Sequence, residues 1–218
     1  PLPFGKTNIV GTMNLLNACR THWKKEKNHR FYHISTDEVY GSLGKEGVFT
    51  EQSPYQPRSP YAASKASADH MVRAYGETYD LPYVISNCSN NYGPDQHSEK
   101  LIPTLLSCLQ KKQPLPIYGD GSNIRDWLYV EDHVSAMDVI FHHGKLGETY
   151  LVGGRCERSN LEVAKVLCQA YDRQVGQDLG TAEKLITFVT DRPGHDFRYA
   201  IDPSKLESTM GWSPKTNW

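Results

Sequence analysis

Apolar residues recur along the chain with the spacing of amphipathic helices in two long segments. Segments 7–20 and 60–79 repeat apolar residues every three or four positions, which predicts one helix in each. The second segment has clear start signals, because Ser59 can cap the helix and Pro60 suits its first position. The chain therefore carries at least two helices able to cover a sheet.

Short apolar runs between these segments predict strands, and the alternation continues to the end of the chain. The further predicted elements are strands at 30–35, 81–89 and 148–154, a helix, two strands and a helix within 99–143, a helix at 160–174, and a strand, charged loop and short helix within 186–212. Strands that alternate with helices need crossover connections. The pattern therefore predicts an α/β protein with a mainly parallel sheet.

Composition excludes several classes of partner. The 218 residues include 38% hydrophobic and 22% charged residues and have a formal net charge of -1, which gives no electrostatic reason to expect nucleic acid or an anionic membrane as a partner. The basic run at 22–30 is expected to be the solvated end of a helix and its loop. No apolar run reaches the roughly 18 residues of a membrane span. Five scattered cysteines without metal-ligand spacing predict a reducing, cytoplasmic setting and no metal site.

The first candidate for chemistry is the Tyr-x-x-x-Lys pair formed by Tyr61 and Lys65. Four residues apart at the start of a helix, the two side chains share one face. A free phenol has a pKa of about 10, and a neighbouring ammonium favours the phenolate, so we expect Lys65 to lower the pKa of Tyr61. The spacing is common by chance, and a plain pair on the helix surface is the alternative reading.

Polar clusters that follow strands strengthen this candidate. Thr36, Asp37 and Glu38 follow the first predicted strand, and the sequence SNCSNNYG at 86–93 ends the second. Ligands of open parallel sheets bind at the carboxyl ends of the strands. Three polar clusters at one edge predict a site there, although a solvated acidic turn is the simpler interpretation of Asp37 and Glu38 alone.

Six stretches together resemble a known family: ISTDEVYG, SPYAASKASADH, SNCSNNYGP, EKLIP, IRDWLYVEDH and DRPGHDFRYAID. Their wording is similar to the dTDP-glucose 4,6-dehydratases of the extended short-chain dehydrogenase/reductase family, over residues 7–212. The resemblance implies a partial Rossmann-like, doubly wound parallel sheet with a smaller C-terminal α/β substrate-binding domain. It also implies bound NAD and a dTDP-glucose substrate, which is oxidised at C4, loses water across C5 and C6, and regains the hydride at C6.

The resemblance also implies a role for each residue of the two clusters. Tyr61 is expected to be the base at the C4 hydroxyl, Lys65 its modulator and ribose ligand, and Thr36 the assisting hydroxyl. Asp37 is expected to protonate the departing C6 hydroxyl and Glu38 to remove the C5 proton. Two carboxylates can divide these tasks only in different environments. Because neighbouring residues of a strand face opposite ways, we expect an irregular backbone at this point.

Further ligands are carried over from the same motifs. On the NAD side they are Thr7, Tyr61, Lys65 and Asn91. On the nucleotide-sugar side they are Thr36, Asn90, Lys100, Leu101, Pro116, Ile117, Tyr118, Arg125, Asn160, Asp191, Arg192, Pro193, Gly194 and His195. The guanidinium groups of Arg125 and Arg192 suit the diphosphate, because they make forked contacts to phosphate oxygens. For Asp126 and Asp191 we favour structural ion pairs with these arginines.

The glycine-rich segment GSLGKEG at 41–47 looks like a dinucleotide motif, but prolines and no helical pattern follow it. We expect the true glycine-rich segment before Pro1 and a last helix after Trp218, so this stretch alone should bind NAD weakly and be inactive. The expected domains are residues 1–92 with a returning segment at 128–154, which bind NAD, and residues 93–127 and 155–218, which bind the nucleotide sugar.

Three other functions stay open at this stage. A nucleotide-sugar epimerase or decarboxylase uses the same C4 oxidation but needs no acid and base for elimination, so Asp37 and Glu38 favour the dehydratase. A non-catalytic nucleotide-sugar-binding module would use Tyr61 and Lys65 only to stabilise a helix. A self-associating domain would use the helices at 7–20 and 60–79, which are equally compatible with an enzyme that forms a homodimer.

Overall fold

The computed structural model describes residues 1–23, 28–191 and 193–218 of the chain, so part of the basic run at 22–30 and Arg192 lie outside the described residues. The helices are α1 (Leu2–Phe4), α2 (Thr12–Trp23), α3 (Pro60–Tyr79), α4 (Leu101–Gln110), α5 (Val130–His143), α6 (Asn160–Val175) and α7 (Ser204–Met210). A π-helical segment, Gly5–Gly11, joins the first two, and 3-10 turns occupy Asp37–Tyr40 and Ala182–Leu185. The strands are β1 (Phe31–Thr36), β2 (Tyr83–Cys88), β3 (Asn90–Tyr92), β4 (Leu115–Tyr118), β5 (Ile124–Tyr129), β6 (Thr149–Val152), β7 (Glu157–Ser159) and β8 (Ile186–Val189).

The strands form three small sheets with mostly parallel pairing. In the first, β2 lies between β1 and β6 and is parallel to both, with Thr36 opposite Cys88 at the carboxyl edge. In the second, β5 is parallel to β3 and antiparallel to β7. The third pairs β4 with β8 in parallel. The predicted α/β class with a mainly parallel sheet is confirmed.

The first sheet is buried because helices cover both of its faces. Successive residues of a strand point to opposite faces. On β2, Val84 packs into a cluster with Ile140 of α5 and Leu206 of α7, whereas Ile85 packs with Leu16 of α2 and Val72 of α3. All six residues are completely buried. This two-sided burial explains why β2 appears in the sequence as an almost continuous apolar run.

A second core lies between α4, α6 and β4. Leu105 and Leu109 of α4 pack against Leu115 of β4 and against Ala164 and Cys168 of α6, and all are completely buried. The start of α6 is fixed by a capping box at Ser159 and Glu162, in which each side chain binds the backbone N–H of the other residue. This core supports the carboxyl end of β4, where several predicted substrate ligands lie.

The helix predicted at 7–20 differs from the structure at its start. Residues Gly5–Gly11 are π-helical, and the regular α-helix begins only at Thr12. The apolar face is also only partly covered: Leu16 is buried, but Val10 and Leu15 are 51% and 60% exposed. Tyr79, predicted in the apolar stripe of α3, is 46% exposed. None of the described helices combines the length and the apolar character needed to cross a membrane.

The segment GSLGKEG forms a loop, as the sequence predicts. The next helix after it is α3, which begins at Pro60, so no helix N-terminus follows the glycines. Gly41 has a φ of +93°, and a Cβ at this position would lie 2.6 Å from the carbonyl oxygen of Gln56. Gly41 therefore serves a close backbone approach.

Candidate active site

The turn that follows β1 carries the predicted acid and base. Thr36 ends the strand, and its hydroxyl Oγ1 accepts a hydrogen bond of 3.3 Å from the N–H of Glu38, which caps the 3-10 turn Asp37–Tyr40. Residues of a 3-10 turn are rotated by about 120° rather than alternating between two faces. The irregular backbone expected at Asp37 and Glu38 is therefore confirmed. In this turn the two carboxylates do not have to point in opposite directions, as they would in a strand.

The two carboxylates have different environments. Asp37 is 2% exposed, and its oxygen Oδ2 has no hydrogen-bond partner among the described residues, whereas Glu38 is half-buried. Burial raises the pKa of Asp37 well above its usual range, and the charges of Glu38 and Asp126 raise it further against the opposing effect of Arg125. Asp37 is therefore suited to carry a proton, and Glu38 to accept one.

The start of α3 brings Tyr61 and Lys65 to the same region. The hydroxyl of Ser59 accepts a hydrogen bond of 3.0 Å from the N–H of Ala62, so the helix begins where the sequence predicts. The ammonium Nζ of Lys65 donates a 2.7 Å hydrogen bond to the carbonyl oxygen of Ile34 in β1. This bond ties the first turns of α3 to the strand that ends in Thr36.

The expected effect of Lys65 on Tyr61 is wrong for the protein alone. Burial raises the pKa of Tyr61 to about 12, and Glu38, Cys88 and Asp37 contribute in the same direction. Burial also lowers the pKa of Lys65. The sequence argument considered only the ammonium, whereas the fold surrounds the phenol with carboxylates and removes it from water. Tyr61 needs further positive charge beside it before it can act as a base near neutral pH.

A buried network behind these residues was not predicted from the sequence. Asp69, on α3, is completely buried; its oxygen Oδ1 lies 3.0 Å from Nε2 of His33, and Oδ2 accepts hydrogen bonds from Tyr55 (2.8 Å) and Asn87 (3.3 Å). Asn87 also donates to the carbonyl oxygen of Thr36 at 3.0 Å. The sequence did contain one sign of this network: Asp69 is a carboxylate next to Ala68, on the face of α3 that the apolar pattern assigns to the core.

The donor set at Lys65 fits the ribose of a dinucleotide. An ammonium has three donors, and the carbonyl of Ile34 takes one, so two remain for neighbouring hydroxyl groups. Thr7 lies exposed on the π-helical segment, which is joined to α3 by a 2.9 Å hydrogen bond from Asn8 to Ser64. The residues present are therefore compatible with NAD on this face of α3.

Asn91, the other predicted NAD ligand, is already engaged within the protein. Its Nδ2 donates to the carbonyl oxygen of Ser89 at 3.0 Å and to the sulfur of Cys88 at 3.4 Å, and its Oδ1 lies 2.8 Å from Nδ1 of His133. Burial lowers the pKa of His133 to about 4, so this imidazole is neutral at physiological pH. Asn91 therefore links β3 to α5 in addition to any contact with a cofactor.

Several predicted substrate ligands lie together beyond the carboxyl end of β4. The ring of His195 is 6.5 Å from that of Tyr118, and its Nδ1 is 2.7 Å from Oδ1 of Asp191. Asn160 begins α6, and its N–H binds the carbonyl oxygen of Asn123 at 3.0 Å. The other predicted ligands are Pro116 and Ile117 within β4, Pro193 and Gly194 exposed after β8, Lys100 and Leu101 at the start of α4, Asn90 in β3, and Arg192, which lies outside the described residues.

Arg125 joins this group to the acid–base turn. Its side chain is buried, donates to the carbonyl oxygens of Ile124 at 2.7 Å and Asp196 at 3.0 Å, and lies 4.4 Å from the centre of the Tyr199 ring. These contacts hold the loop after β8 against β5. Asp126, for which the sequence favoured an ion pair with Arg125, accepts hydrogen bonds from the backbone N–H groups of Gly154 (3.0 Å) and Cys156 (2.7 Å).

A cleft of about 520 Å³ lies elsewhere on the molecule. Its lining includes Tyr55, His70, Arg73 and Lys205 but neither Tyr61 nor Lys65. Side-chain chemistry, and not the volume of a cavity, therefore identifies the candidate active site.

The chain resembles known proteins along almost its whole length. A sequence model of the family described as GDP-mannose 4,6 dehydratase matches residues 1–218. The chain is 51% identical over 220 residues to a dTDP-glucose 4,6-dehydratase of Xanthomonas campestris pv. campestris (strain B100), covering 98% of this chain and 63% of the relative. It is 53% identical to the dTDP-glucose 4,6-dehydratase of Neisseria gonorrhoeae, covering 97% of this chain and 64% of that protein.

Solved structures give the same fold. The dTDP-glucose 4,6-dehydratase of Bacillus anthracis str. Ames in complex with NAD matches with a TM-score of 0.87 and 47% identity, covering 99% of this chain and 65% of that one. DesIV of Streptomyces venezuelae, a dTDP-glucose 4,6-dehydratase with NAD and TYD bound, gives 0.88 and 41%, covering 98% and 62%. A UDP-glucuronic acid 4-epimerase of Bacillus cereus gives 0.83 and 29%, covering 97% and 64%.

The chain spans slightly less than two thirds of these relatives, 63% of the Xanthomonas protein and 64% of the Neisseria protein. Within that span the match is continuous, and the parallel α/β architecture corresponds to a partial Rossmann-like fold of the short-chain dehydrogenase/reductase type. Matched along its entire length, the chain belongs to the GDP-mannose 4,6 dehydratase family.

Proposed function

We propose that the protein is an NAD-dependent lyase that converts dTDP-glucose to dTDP-4-keto-6-deoxyglucose. The observation that carries this proposal is the 3-10 turn after β1, which bears a buried Asp37 and a half-buried Glu38 next to Tyr61. An elimination needs one group that holds a proton and another that takes one. The identity of about 50% to dTDP-glucose 4,6-dehydratases supports dTDP as the nucleotide.

The oxidation at C4 begins with a proton transfer to Tyr61. The phenolate removes the proton of the C4 hydroxyl, with the hydroxyl of Thr36 as a hydrogen-bond partner and Lys65 holding the ribose. A bound NAD would supply hydride chemistry, taking up the C4 hydride and delivering it to C6, while Glu38 would return its proton to C5. The high pKa of Tyr61 in the protein alone is consistent with a base that acts only when NAD is bound. The cationic nicotinamide ring would supply the positive charge that favours the phenolate.

The elimination uses the two carboxylates. Once C4 is a ketone, the C5 proton is more acidic, and Glu38 removes it. Asp37, whose pKa is raised by burial, donates its proton to the departing C6 hydroxyl, which leaves as water. Its buried oxygen Oδ2 has no hydrogen-bond partner among the described residues. The difference in burial between the two residues thus assigns acid and base.

We assign the nucleotide sugar to the group beyond β4 and the cofactor to α3. The rings of Tyr118 and His195 are 6.5 Å apart, which supports a shared ligand, and the charge of Arg125 acts on Asp37. In this proposal residues 1–92 and 128–154 bind NAD, and residues 93–127 and 155–218 bind the substrate. The five cysteines are free thiols, which supports a reducing, cytoplasmic location.

We also propose that the protein forms a homodimer through α2 and α3. These helices and the segment before α2 expose large apolar side chains to solvent, among them Val10, Leu15 and Tyr79. Exposed apolar residues on two packed helices are typical of a protein–protein interface.

The function is tested by substituting Gln for Glu38 in the full-length protein. We expect the variant to oxidise dTDP-glucose at C4 and form reduced NAD, because Tyr61 is intact. Release of the keto product should fall by at least about 100-fold, the range for loss of a general base. Reduced NAD is followed by absorbance, and the keto sugar by its absorbance in alkali.

The control for this experiment is Glu46→Gln, the same substitution at an exposed loop position, which should retain full activity. Normal product release by Glu38→Gln would refute the role of Glu38. Formation of a C4 epimer in place of a keto sugar by the parent protein would favour the epimerase function instead.

A further inference from the structure

Asp69 continues the line of Tyr61 and Lys65 along α3. It follows them by eight and four residues, so the three side chains lie on one face of the helix. Unlike the other two, Asp69 is completely buried. A buried carboxylate is costly unless hydrogen bonds compensate it, and this compensation is complete enough to keep the pKa of Asp69 below its usual value. Asp69 is therefore ionised within the core.

The partners of Asp69 come from three different elements. His33 lies in β1, Asn87 in β2 and Tyr55 in the loop before α3. Asn87 then reaches the backbone of Thr36 with the same amide nitrogen. One carboxylate therefore fixes α3 against both strands whose carboxyl ends form the candidate active site.

We propose that Asp69 is a positioning residue for the oxidation at C4. Its carboxylate holds α3 in register with β1, so that Tyr61 stays beside Thr36, and it places a negative charge one helical turn from the half-buried ammonium of Lys65. The inference rests on the proposed function, because it concerns the step in which Tyr61 removes the C4 proton.

The charged groups around Tyr61 and Lys65 determine how the loss of Asp69 should change the pKa values of these two residues. Asp69 and Cys88 are the groups that favour the charged form of Lys65, against the effect of burial. The phenol of Tyr61 faces Cys88, Asp69 and the carboxylates at 37 and 38, and all of these disfavour the phenolate. Removing the charge of Asp69 therefore lowers the pKa of both Lys65 and Tyr61.

The test is the pH dependence of C4 oxidation in Asp69→Asn, measured as the single-turnover burst of reduced NAD after dTDP-glucose is added to the full-length protein with NAD. We expect the burst to be on the order of 10-fold to 100-fold slower, because small displacements of a reacting group are costly. We also expect both limbs of the pH profile, assigned to Tyr61 and Lys65, to move to lower pH.

The matched control is Asp172→Asn on α6. Asp172 is also completely buried and accepts hydrogen bonds from the N–H groups of Gly180 and Ala182 and from Gln177. Its loss should weaken the fold in a comparable way but leave the limbs of the profile at their parental pH. Asp69→Glu keeps the negative charge, so both limbs of its pH profile should lie at the parental pH. Its burst of reduced NAD should still be slow.

A second variant covers the case in which no Asp69 variant folds. Tyr55→Phe removes one donor to Asp69 but keeps the carboxylate. We expect the rate constant of C4 oxidation to fall several-fold while KM for dTDP-glucose is unchanged. An unchanged rate constant in Tyr55→Phe, or a slow Asp69→Asn burst with unmoved limbs, would overturn the proposal. Absence of any burst in the parent protein would instead refute the proposed function.

Discussion

Buried titratable side chains dominate the chemistry at the scale of single residues. Asp37 and Tyr61 both favour their protonated forms because burial removes them from water, and neighbouring carboxylates add to the effect. The sequence proposed Asp37 and Tyr61 as site residues but did not give the direction of the pKa shift at Tyr61. That direction depends on what surrounds the phenol in three dimensions, and spacing along a helix does not contain this information.

His133 gives a prediction for the pH dependence of stability. Burial lowers its pKa from 6.5 to about 4, so the folded state binds its proton less readily than the unfolded state. Its contribution is fully present above pH 6.5 and is lost as the pH falls toward 4. Between these values we expect the free energy of unfolding to drop by about 3 kcal/mol from this residue.

The measurement for His133 is urea unfolding of the parent and of His133→Asn at a series of pH values. Asn cannot titrate and can still donate toward Oδ1 of Asn91, which lies 2.8 Å from Nδ1 of His133. The difference in stability between the two proteins should narrow as the pH falls. Parallel stability curves for the two proteins would contradict the assignment.

Long elements were predictable at the scale of helices and strands, and very short ones were not. Helix α3 begins and ends where its cap and apolar period indicate, and β2 is recognisable as an apolar run. The three-residue strands β3 and β7 were missed, because three residues contain no measurable period. They form through pairing with β5, which is a contact between distant parts of the sequence.

Gly154, in the connection between β6 and β7, lies close to the backbone of β5, and this contact predicts the effect of a substitution on stability. A Cβ at Gly154 would lie 1.9 Å from the carbonyl oxygen of Trp127, a backbone atom that cannot turn aside. We expect Gly154→Ala to cost at least about 2 kcal/mol of unfolding free energy and to disturb the bond from its N–H to Asp126. Gly44→Ala, where a Cβ meets nothing within 4 Å, should change stability by less than about 0.5 kcal/mol.

Thermal unfolding followed by circular dichroism measures both glycine variants. Equal midpoints for Gly154→Ala and Gly44→Ala would show that the connection moves away from β5 at little cost.

The uncovered apolar side chains of α2 and α3 matter at the scale of the whole molecule. In the dimer proposed above, Leu15 is buried against the partner, so Leu15→Glu should convert the full-length protein largely to monomers. Leu179, which is exposed to the same degree (61% against 60%) but lies in a different part of the chain, provides the matched control.

Light scattering coupled to size-exclusion chromatography gives the mass of each variant. We expect a halved mass for Leu15→Glu and the parental mass for Leu179→Glu. A monomeric parent, or a Leu15→Glu variant with the parental mass, would contradict the proposed interface.

The 3-10 turn after β1 also bears on how such proteins diverge. In the proposed function, the groups for hydride chemistry lie on α3, whereas the groups for breaking the C6–oxygen bond lie on a single turn capped by Thr36. The proposed elimination then depends on four consecutive residues, Asp37–Tyr40, and the proposed oxidation on a separate helix. We expect new bond-breaking specificities on this scaffold to arise by exchange of that turn, with the sheet and its covering helices left unchanged.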